Sequence, residues 1–280
     1  MLSIFTSQAA MSSTTAMNKA NSGLNVAMQR LGTGKRINSA ADDAAGLQIA
    51  TRLQAQSNGM NVAQGNISKA TALLQTAEGA FDEMTNIMYR MKDLATQAAD
   101  DTNNANDRES LQAEFTELNA ELNNIMSNTS YGSDKLLSAS GGKLASGMQF
   151  QIGAGTDEIL KVDVSSNLSG ISGHLGTLAS SSISGSASGA NEVLQRVNDA
   201  LDSVGAMRSA LGANINRLGH TAANLANMKD NTDLNIGVIR DADYATEASN
   251  MSRQQMLVQT SQSMLKQANG MKGLVMNMLG

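Results

Sequence analysis

The side chains that could support acid–base or metal chemistry in this chain are few, and they are widely separated. The two histidines are His174, in a stretch rich in serine and glycine, and His220, within a helical pattern. Their separation does not match the spacing of metal ligands, so we interpret both as ordinary surface residues. The sequence contains no cysteine, which excludes disulfides, thiolate metal sites and cysteine nucleophiles. We predict no catalytic residue, no metal site and no cofactor.

Two short motifs resemble reactive sites, but each has a structural explanation. Asp42 and Asp43 follow Ser39 and precede an apolar run, so we expect their carboxylates in the first turn of a helix that Ser39 caps. The segment Gly32–Lys35 resembles part of a phosphate-binding loop, but its spacing is wrong and no hydrophobic strand precedes it. The chain is therefore predicted not to be an enzyme.

The composition favours long helices over a compact globular core. The 280 residues include no proline and no tryptophan, with four phenylalanines and three tyrosines. Large aromatic side chains usually fill enzyme cores and anchor ligand pockets, so their scarcity argues against both. Without proline to interrupt them, alanine, leucine and methionine favour long helices, which must pack against partners to be stable.

Charge is distributed unevenly along the chain. The net charge is −5, which argues against nucleic-acid binding. Residues 1–41 carry four cations and 248–280 carry three, with no carboxylate in either segment, so the ends sum to +7 and leave −12 for the rest. The start of the chain has no basic region typical of a Sec signal, and no apolar run approaches the ~20 residues that span a bilayer. We therefore expect paired terminal segments and no membrane insertion.

Three internal segments carry apolar residues at alternating steps of four and three, the pattern of a coiled-coil seam. The clearest seam consists of Ala63, Ile67, Ala70, Leu74, Ala77, Phe81, Met84, Met88, Met91, Ala95 and Ala98. A second helix, with Leu111, Phe115, Leu118, Leu122 and Ile125, should fold back on the first as a tight helical hairpin. A third seam runs from Leu194 to Leu225 and is interrupted by Arg208.

Two other segments depart from this helical pattern. The sequence predicts one β-hairpin at about 148–164. Apolar residues alternate with polar or small ones at Met148, Phe150 and Ile152, a glycine-rich turn follows, and the alternation resumes at Leu160, Val162 and Val164. Residues 166–190 contain nine serines and five glycines without a charged side chain. We predict a linker or surface loop there, since such a composition cannot bury a core of its own.

The chain ends repeat the seam pattern more weakly, and we expect them to pack together. The predicted seam residues are Met17, Ala20, Leu24, Ala27, Leu31, Leu257, Met264, Leu265, Ala268, Met271, Val275 and Met278. The predicted fold class is mainly α: an elongated helical rod or coiled-coil bundle with one small β-hairpin and termini paired as a coiled coil. Alanine-rich seams bury little area per residue, which points to lateral self-association.

Two blocks near opposite ends of the chain resemble the signatures of bacterial flagellins. The first is Gln29-Arg30-Leu31 followed by Gly34 and the run Arg36–Leu47, and the second is Asp241–Glu247 followed by Ser249–Arg253. The resemblance covers about 1–165 and 190–280. It implies a secreted, extracellular filament subunit whose termini form an inner coiled coil, surrounded by a rod, in a homo-polymer that serves swimming or swarming.

The resemblance also assigns a domain to each part of the chain. By similarity, 1–42 and 241–280 form the inner filament-core domain, and 43–165 with 191–240 form the rod. The loop predicted at 166–190 replaces the bulky, variable outer domains of longer flagellins. The short chain is therefore more similar to a lateral-type or otherwise minimal flagellin.

The resemblance further implies partners. These are an export chaperone on the C-terminal helix, filament cap and hook-junction proteins, and the flagellar type III export apparatus. A Toll-like receptor is a further partner, through a rod motif matched here by Arg90, Leu94 and Glu114, although these charges also fit an ordinary solvated surface. A hook–filament junction protein, or another type III secreted coiled-coil protein, is the alternative function.

Overall fold

The computed structural model describes the backbone of residues 8–138 and 141–279 and the side chains of that range up to residue 270. Within these residues the chain is mainly α-helical, with two small pairs of antiparallel strands and a short 3₁₀ turn at Lys143–Ala145, which confirms the predicted class. The helices are α1 (Gln8–Thr33), α2 (Ala44–Ala98), α3 (Ala105–Asn128), α4 (Ser165–Ala179), α5 (Ala187–Arg240) and α6 (Tyr244–Leu279). The strands are β1 (Ser130–Tyr131), β2 (Asp134–Lys135), β3 (Met148–Gln151) and β4 (Ile159–Val162).

The chain forms two compact units. The terminal unit consists of Met1–Gln56 and Asp230–Gly280, and the central unit is Ser57–Lys229. The division falls within α2 and α5, whereas the boundaries predicted at 42/43 and 240/241 lie at short connections between helices.

The predicted seam of α2 forms the core of the central unit. Its eleven residues, from Ala63 to Ala98, are all buried, and the eight from Leu74 onward have no exposed surface. The seam of α3 packs against the same hydrophobic cluster through Phe115 and Leu122, which are fully or almost fully buried. A continuous 4,3 pattern without a polar interruption therefore positions the helices of this unit.

A capping box fixes the start of α3 after the polar stretch that follows α2. The Asn104 side chain accepts a hydrogen bond from the Asp107 backbone N–H at 2.9 Å, and Asp107 accepts one in return from the Asn104 N–H at 3.1 Å. Arg108 then donates to the Ala98 carbonyl at 3.0 Å, near the end of α2. These contacts satisfy backbone groups that both helix ends leave unpaired.

The predicted β-hairpin is present, and a second, smaller one was missed. Strands β3 and β4 pair antiparallel, with Phe150 opposite Leu160 and Met148 opposite Val162. The additional pair, β1 with β2, joins through a turn at Gly132, whose φ of 63° lies in the left-handed region. Strands of two residues leave no alternating apolar pattern for sequence reading to detect.

The prediction of a loop at 166–190 is wrong. Most of this segment is α4, and residues 187–190 begin α5. The four apolar residues of α4 are spaced by three, four and three, and all of them are buried in the central cluster: Leu168, Ile171, Leu175 and Leu178. This apolar stripe therefore packs against a core formed by other helices of the central unit, so the segment needs no core of its own.

The interruption that Arg208 makes in the third seam is an ion-pair site. Its Nη2 atom lies 2.9 Å from Glu78 Oε1 and 2.9 Å from Asp82 Oδ1, both on α2. The hydrogen bond that Arg208 donates to Glu78 is the main reason that the pKa of Arg208 lies above its ordinary value. Because the side chain keeps a third of its surface exposed, this cluster links α5 to α2 at the margin of the apolar core.

Candidate assembly interface

In the terminal unit, α1 and α6 pack side by side in opposite directions. Arg30, near the end of α1, contacts Glu247 near the start of α6. Two turns earlier in α1, Gly23 faces Gln254, and a Cβ atom at this glycine would lie 2.9 Å from the Gln254 amide. The absence of a side chain at Gly23 therefore leaves room for the Gln254 side chain to pack against α1.

The facing stripes of both helices follow 4,3 spacing, but their composition is unusual. Most buried positions carry small residues: Ser13, Ala20 and Ala27 on α1, with Ser261 and Ala268 on α6. Half-buried residues occupy the positions between them, namely Met17, Leu24 and Leu31 on α1 and Met251, Gln254, Val258 and Leu265 on α6. Small residues at the seam reduce the buried apolar area, so this helix pair gains less from burial than the central core does.

Two of the residues predicted for this seam lie elsewhere on α6. Leu257 and Met264 are 47% and 60% exposed, because the stripe that faces α1 passes through their neighbours Val258 and Leu265. The prediction followed the largest apolar side chains, whereas the packed stripe begins at Glu247 and includes polar residues. The side chains of Met271, Val275 and Met278 lie outside the described residues.

One ion pair lies inside this seam. Arg30 Nη1 donates to Glu247 Oε1 at 2.8 Å, and Asn250 Nδ2 donates to the other carboxylate oxygen at 2.8 Å. The Glu247 side chain is 8% exposed. Hydrogen bonds from Asn250 and Arg30 lower the pKa of Glu247 below its ordinary value, and they outweigh the opposing effect of burial.

We expect the Glu247→Gln substitution to reduce the pH dependence of stability in acid. Because the folded-state pKa of Glu247 is depressed, its ionised form contributes stability that is fully present above the unfolded-state pKa, about 4.3. That contribution is lost as the pH falls through the folded-state value. The free energy of unfolding in urea, measured from pH 7 to pH 3, should therefore fall less steeply for the variant than for the wild type.

The matched control is Glu117→Gln, which removes the same charge from an exposed position on α3. It should leave the pH profile close to that of the wild type. If both variants changed the profile equally, net charge and not the Arg30–Glu247 contact would govern the acid response.

Backbone contacts join the segment after α1 to the connection between α5 and α6. Lys35 and Asp241 form an antiparallel bridge, and the Arg36 N–H donates to the Arg240 carbonyl at 2.7 Å. The Arg36 guanidinium donates to the Ile239 carbonyl at 2.8 Å. Gly34 has a φ of 70°, so the turn that starts this contact requires glycine.

The acidic pair has a structural role that differs in detail from the prediction. Asp43, not Ser39, accepts a hydrogen bond from a backbone N–H of α2, that of Gly46 at 2.8 Å. Asp42 closes the preceding turn by accepting from the Ser39 and Asn38 N–H groups at 2.8 and 3.0 Å. These hydrogen bonds lower the pKa of Asp42. Both carboxylates thus define the entry into α2.

The outward surface of the helix pair carries large exposed apolar side chains. They are Met11, Val26 and Met28 on α1 and Met256, Leu257 and Met264 on α6, each at least 39% exposed. No described helix has an apolar stretch long enough to cross a bilayer. Exposed apolar side chains grouped on one helix pair indicate an interaction surface.

The residues predicted to contact an innate receptor are split between surface and core. Arg90 and Glu114 are about half exposed and form an ion pair, with Arg90 Nη2 2.7 Å from Glu114 Oε1. Leu94 is 0% exposed and belongs to the central cluster, so it is not available to a partner and the prediction for it is wrong. Leu94 occupies an additional buried position beside the α2 seam, next to Ala95.

The structure brings no reactive cluster together among the residues it describes. His174 lies on α4 and His220 is exposed on α5. In the same described residues, no group of three histidine or acidic side chains is arranged to hold a metal ion. The exposed apolar faces and the paired terminal helices are therefore the features that a function must explain.

Comparison with known proteins identifies the two ends of the chain. Residues 4–141 match the bacterial flagellin N-terminal helical region, and residues 194–279 match the bacterial flagellin C-terminal helical region. A flagellin of Halalkalibacterium halodurans is 37% identical over 265 residues, which are 92% of this chain and 94% of that protein. A flagellin of Listeria innocua is 35% identical over 261 residues, covering 90% of this chain and 91% of the relative.

A solved structure shares the fold. It is that of a putative flagellar hook-associated protein from Vibrio parahaemolyticus, with a TM-score of 0.56 and 15% identity, covering 71% of this chain and 99% of that one. At such low identity the likeness concerns architecture alone. The two family models cover most of the chain, and the flagellin relatives match it almost from end to end. This protein therefore belongs to the bacterial flagellins, the structural subunits of the flagellar filament.

Proposed function

We propose that the α1–α6 pair is the inner assembly domain of the filament, and that copies of the chain polymerise by burying the outward apolar side chains of this pair. The observation that carries the proposal is the exposure of Met11, Met256, Leu257 and Met264 on helices whose inner stripes are already packed. Identical subunits that meet through unlike surfaces form an open helical polymer when the rotation does not close.

The charge distribution supports placing this domain at the filament axis. Residues 1–41 and 248–280 contain no carboxylate. Acidic side chains crowded around a narrow axis would repel one another at low dielectric, so their absence favours close packing there. In this proposal, 1–42 and 241–280 form the inner domain, and 43–165 with 191–240 form the surrounding rod.

The filament works outside the cell, as a propeller for swimming or swarming. The chain reaches the surface through the flagellar type III export apparatus. Before assembly, a chaperone covers α6, whose exposed apolar residues would otherwise promote aggregation. A filament cap protein and hook-junction proteins lie at the two ends of the polymer.

Seeded assembly tests this function. Purified full-length chain and a variant lacking residues 241–280 are each mixed with sheared filament fragments and imaged by electron microscopy. Long, thin filaments from the full chain alone would support the proposal, because the deletion removes α6. Short rings from the full chain would instead favour the hook–filament junction alternative, and soluble chains from both samples would contradict polymerisation.

For the Toll-like receptor, we propose a contact through Arg90 and Glu114 alone. Their ion pair is exposed on the central unit, which makes it accessible to a partner, unlike Leu94. Arg90→Ala should reduce signalling by receptor-expressing cells, whereas Arg217→Ala, at an exposed position on α5, should not. Equal signalling by wild type and Arg90→Ala would contradict the proposed contact.

A further inference from the structure

One face of α5, close to its C-terminal end, exposes the most accessible large apolar side chains among the described residues. Val238 is 82% exposed and Leu234 is 69% exposed. They line a shallow groove together with Gly237 and three carboxylate residues, and we call this set the acidic face: Asp230, Asp233, Leu234, Gly237, Val238 and Asp241. Largely exposed leucine and valine side chains inside a charged rim are typical of a surface that a partner covers.

The spacing of the acidic face is that of a helix-packing seam. Asp230, Leu234 and Gly237 are separated by four and three residues, so they lie along one side of α5. Asp241 follows four residues after Gly237, directly beyond the end of the helix, and its N–H still donates to the Gly237 carbonyl at 2.8 Å. The face extends over roughly 16 Å at about 1.5 Å per residue. Its natural partner is another helix with the same spacing, an apolar centre and the opposite charge.

The outward side of α6 has these properties. Arg253, Leu257, Thr260 and Met264 repeat the separations of four, three and four, with Met256 beside them. All five residues are exposed, and we call them the outer stripe. Its charged residue is Arg253, and residues 248–280 contain no carboxylate to compete for it.

We propose that the acidic face of one subunit binds the outer stripe of α6 in a second copy of the chain. Leu234 and Val238 pack between Leu257 and Met264, and Arg253 pairs with one of the two aspartates at the ends of the face, Asp230 or Asp241. Both surfaces belong to the terminal unit, so every copy carries one of each. The contact is therefore heterologous, and it names a specific subunit interface within the polymerisation proposed above, on which it rests.

Charge complementarity selects this occupant. The acidic face carries three carboxylates, whereas the described parts of α1 and α6 contain Lys19, Arg30, Arg253 and Lys266 against a single carboxylate, Glu247. That carboxylate is already paired with Arg30. A second copy thus offers an apolar surface of opposite charge, which raises both the association rate and the specificity of docking.

Cross-linking tests the contact directly, because the chain has no cysteine of its own. Val238→Cys is combined with Leu257→Cys, assembled on seeds under reducing conditions and treated with a short bis-maleimide. We expect a ladder of covalent multimers on a denaturing gel. The matched control combines Val62→Cys, 63% exposed on α2, with Leu257→Cys and should give no ladder.

The outcomes separate this inference from the proposed function. Wild-type chains that form no filaments would contradict the function itself. Filaments of the Val238→Cys/Leu257→Cys variant without a ladder would overturn the assigned interface while leaving the function intact. A monomer cross-linked to itself would show that the acidic face binds its own chain, and would also overturn the proposal.

Charge reversal provides a second test that needs no cross-linker. Arg253→Glu, and Asp230→Lys with Asp241→Lys, should each raise the critical concentration for assembly about tenfold, since each places like charges across the interface. The triple variant should return to within about twofold of the wild type, because a contact pair is non-additive. Purely additive effects in the triple variant would contradict the contact.

Discussion

Ala20→Asp is expected to abolish filament formation while leaving the central unit folded. Ala20 is 4% exposed, at the seam between α1 and α6. A carboxylate there would be buried, and the facing stripe of α6 offers no cation, since its charged member is Glu247. An unpaired buried charge costs several kcal/mol, more than a seam of small residues can offset. The two helices should therefore separate and present no ordered surface for assembly.

The matched control is Asn18→Asp, two residues away on the exposed side of α1. It adds the same charge to the same helix without burial and should assemble like the wild type. Sedimentation of seeded filaments gives the polymer fraction, and amide hydrogen exchange over residues 57–229 reports on the central unit. Filaments of Ala20→Asp at the wild-type critical concentration would show that assembly does not need the packed pair.

The central core could be predicted from the sequence because its pattern has no exception. Every α2 residue from Ala63 to Ala98 that the 4,3 count selects is buried. On α5 the count missed Met207, which is fully buried beside the interruption at Arg208. Where apolar residues occupy every position along one face of a helix, the helical period alone is enough to predict that this face is buried.

For α4, the amino-acid composition predicted the wrong structure, whereas the spacing of the apolar residues indicates a helix. The serines and glycines of 166–190 suggested a loop, yet Leu168, Ile171, Leu175 and Leu178 repeat at helical spacing and are buried. Glycine lowers helix propensity by only about 1 kcal/mol per residue. Burial of four large side chains in a core supplied by other segments exceeds that cost.

At the candidate interface, the sequence predicted the pairing of the ends but not the face of α6 that performs it. The stripe that faces α1 includes Glu247, Gln254 and Ser261, which a search for apolar residues rejects. The contact of Arg30 with Glu247 joins residues 217 positions apart, and local patterns contain no information about such a pair. The large residues Leu257 and Met264 are exposed instead, where they are available for contacts between subunits.

Phe81→Ala should be among the most destabilising single substitutions in the central unit. Phe81 has no exposed surface and lies midway along the buried seam of α2. Removing a buried phenylalanine side chain costs about 3–5 kcal/mol, through lost transfer free energy and the cavity that remains. Since domains are stable by only ~5–15 kcal/mol, much of the stability of this unit should be lost. Urea unfolding of the monomer, followed by circular dichroism, should shift to a midpoint lower by about 1 M or more.

Tyr89→Ala, on the same helix, is the control, because Tyr89 is 56% exposed. It removes an aromatic side chain of similar size, yet the expected change is within about 0.5 kcal/mol, typical of a surface substitution. The contrast isolates burial, since both variants place alanine in the interior of α2 and gain the same helix propensity. Equal midpoints for the two variants would mean that the α2 seam does not hold the central unit together, and the helices would then owe their stability in the filament to neighbouring subunits.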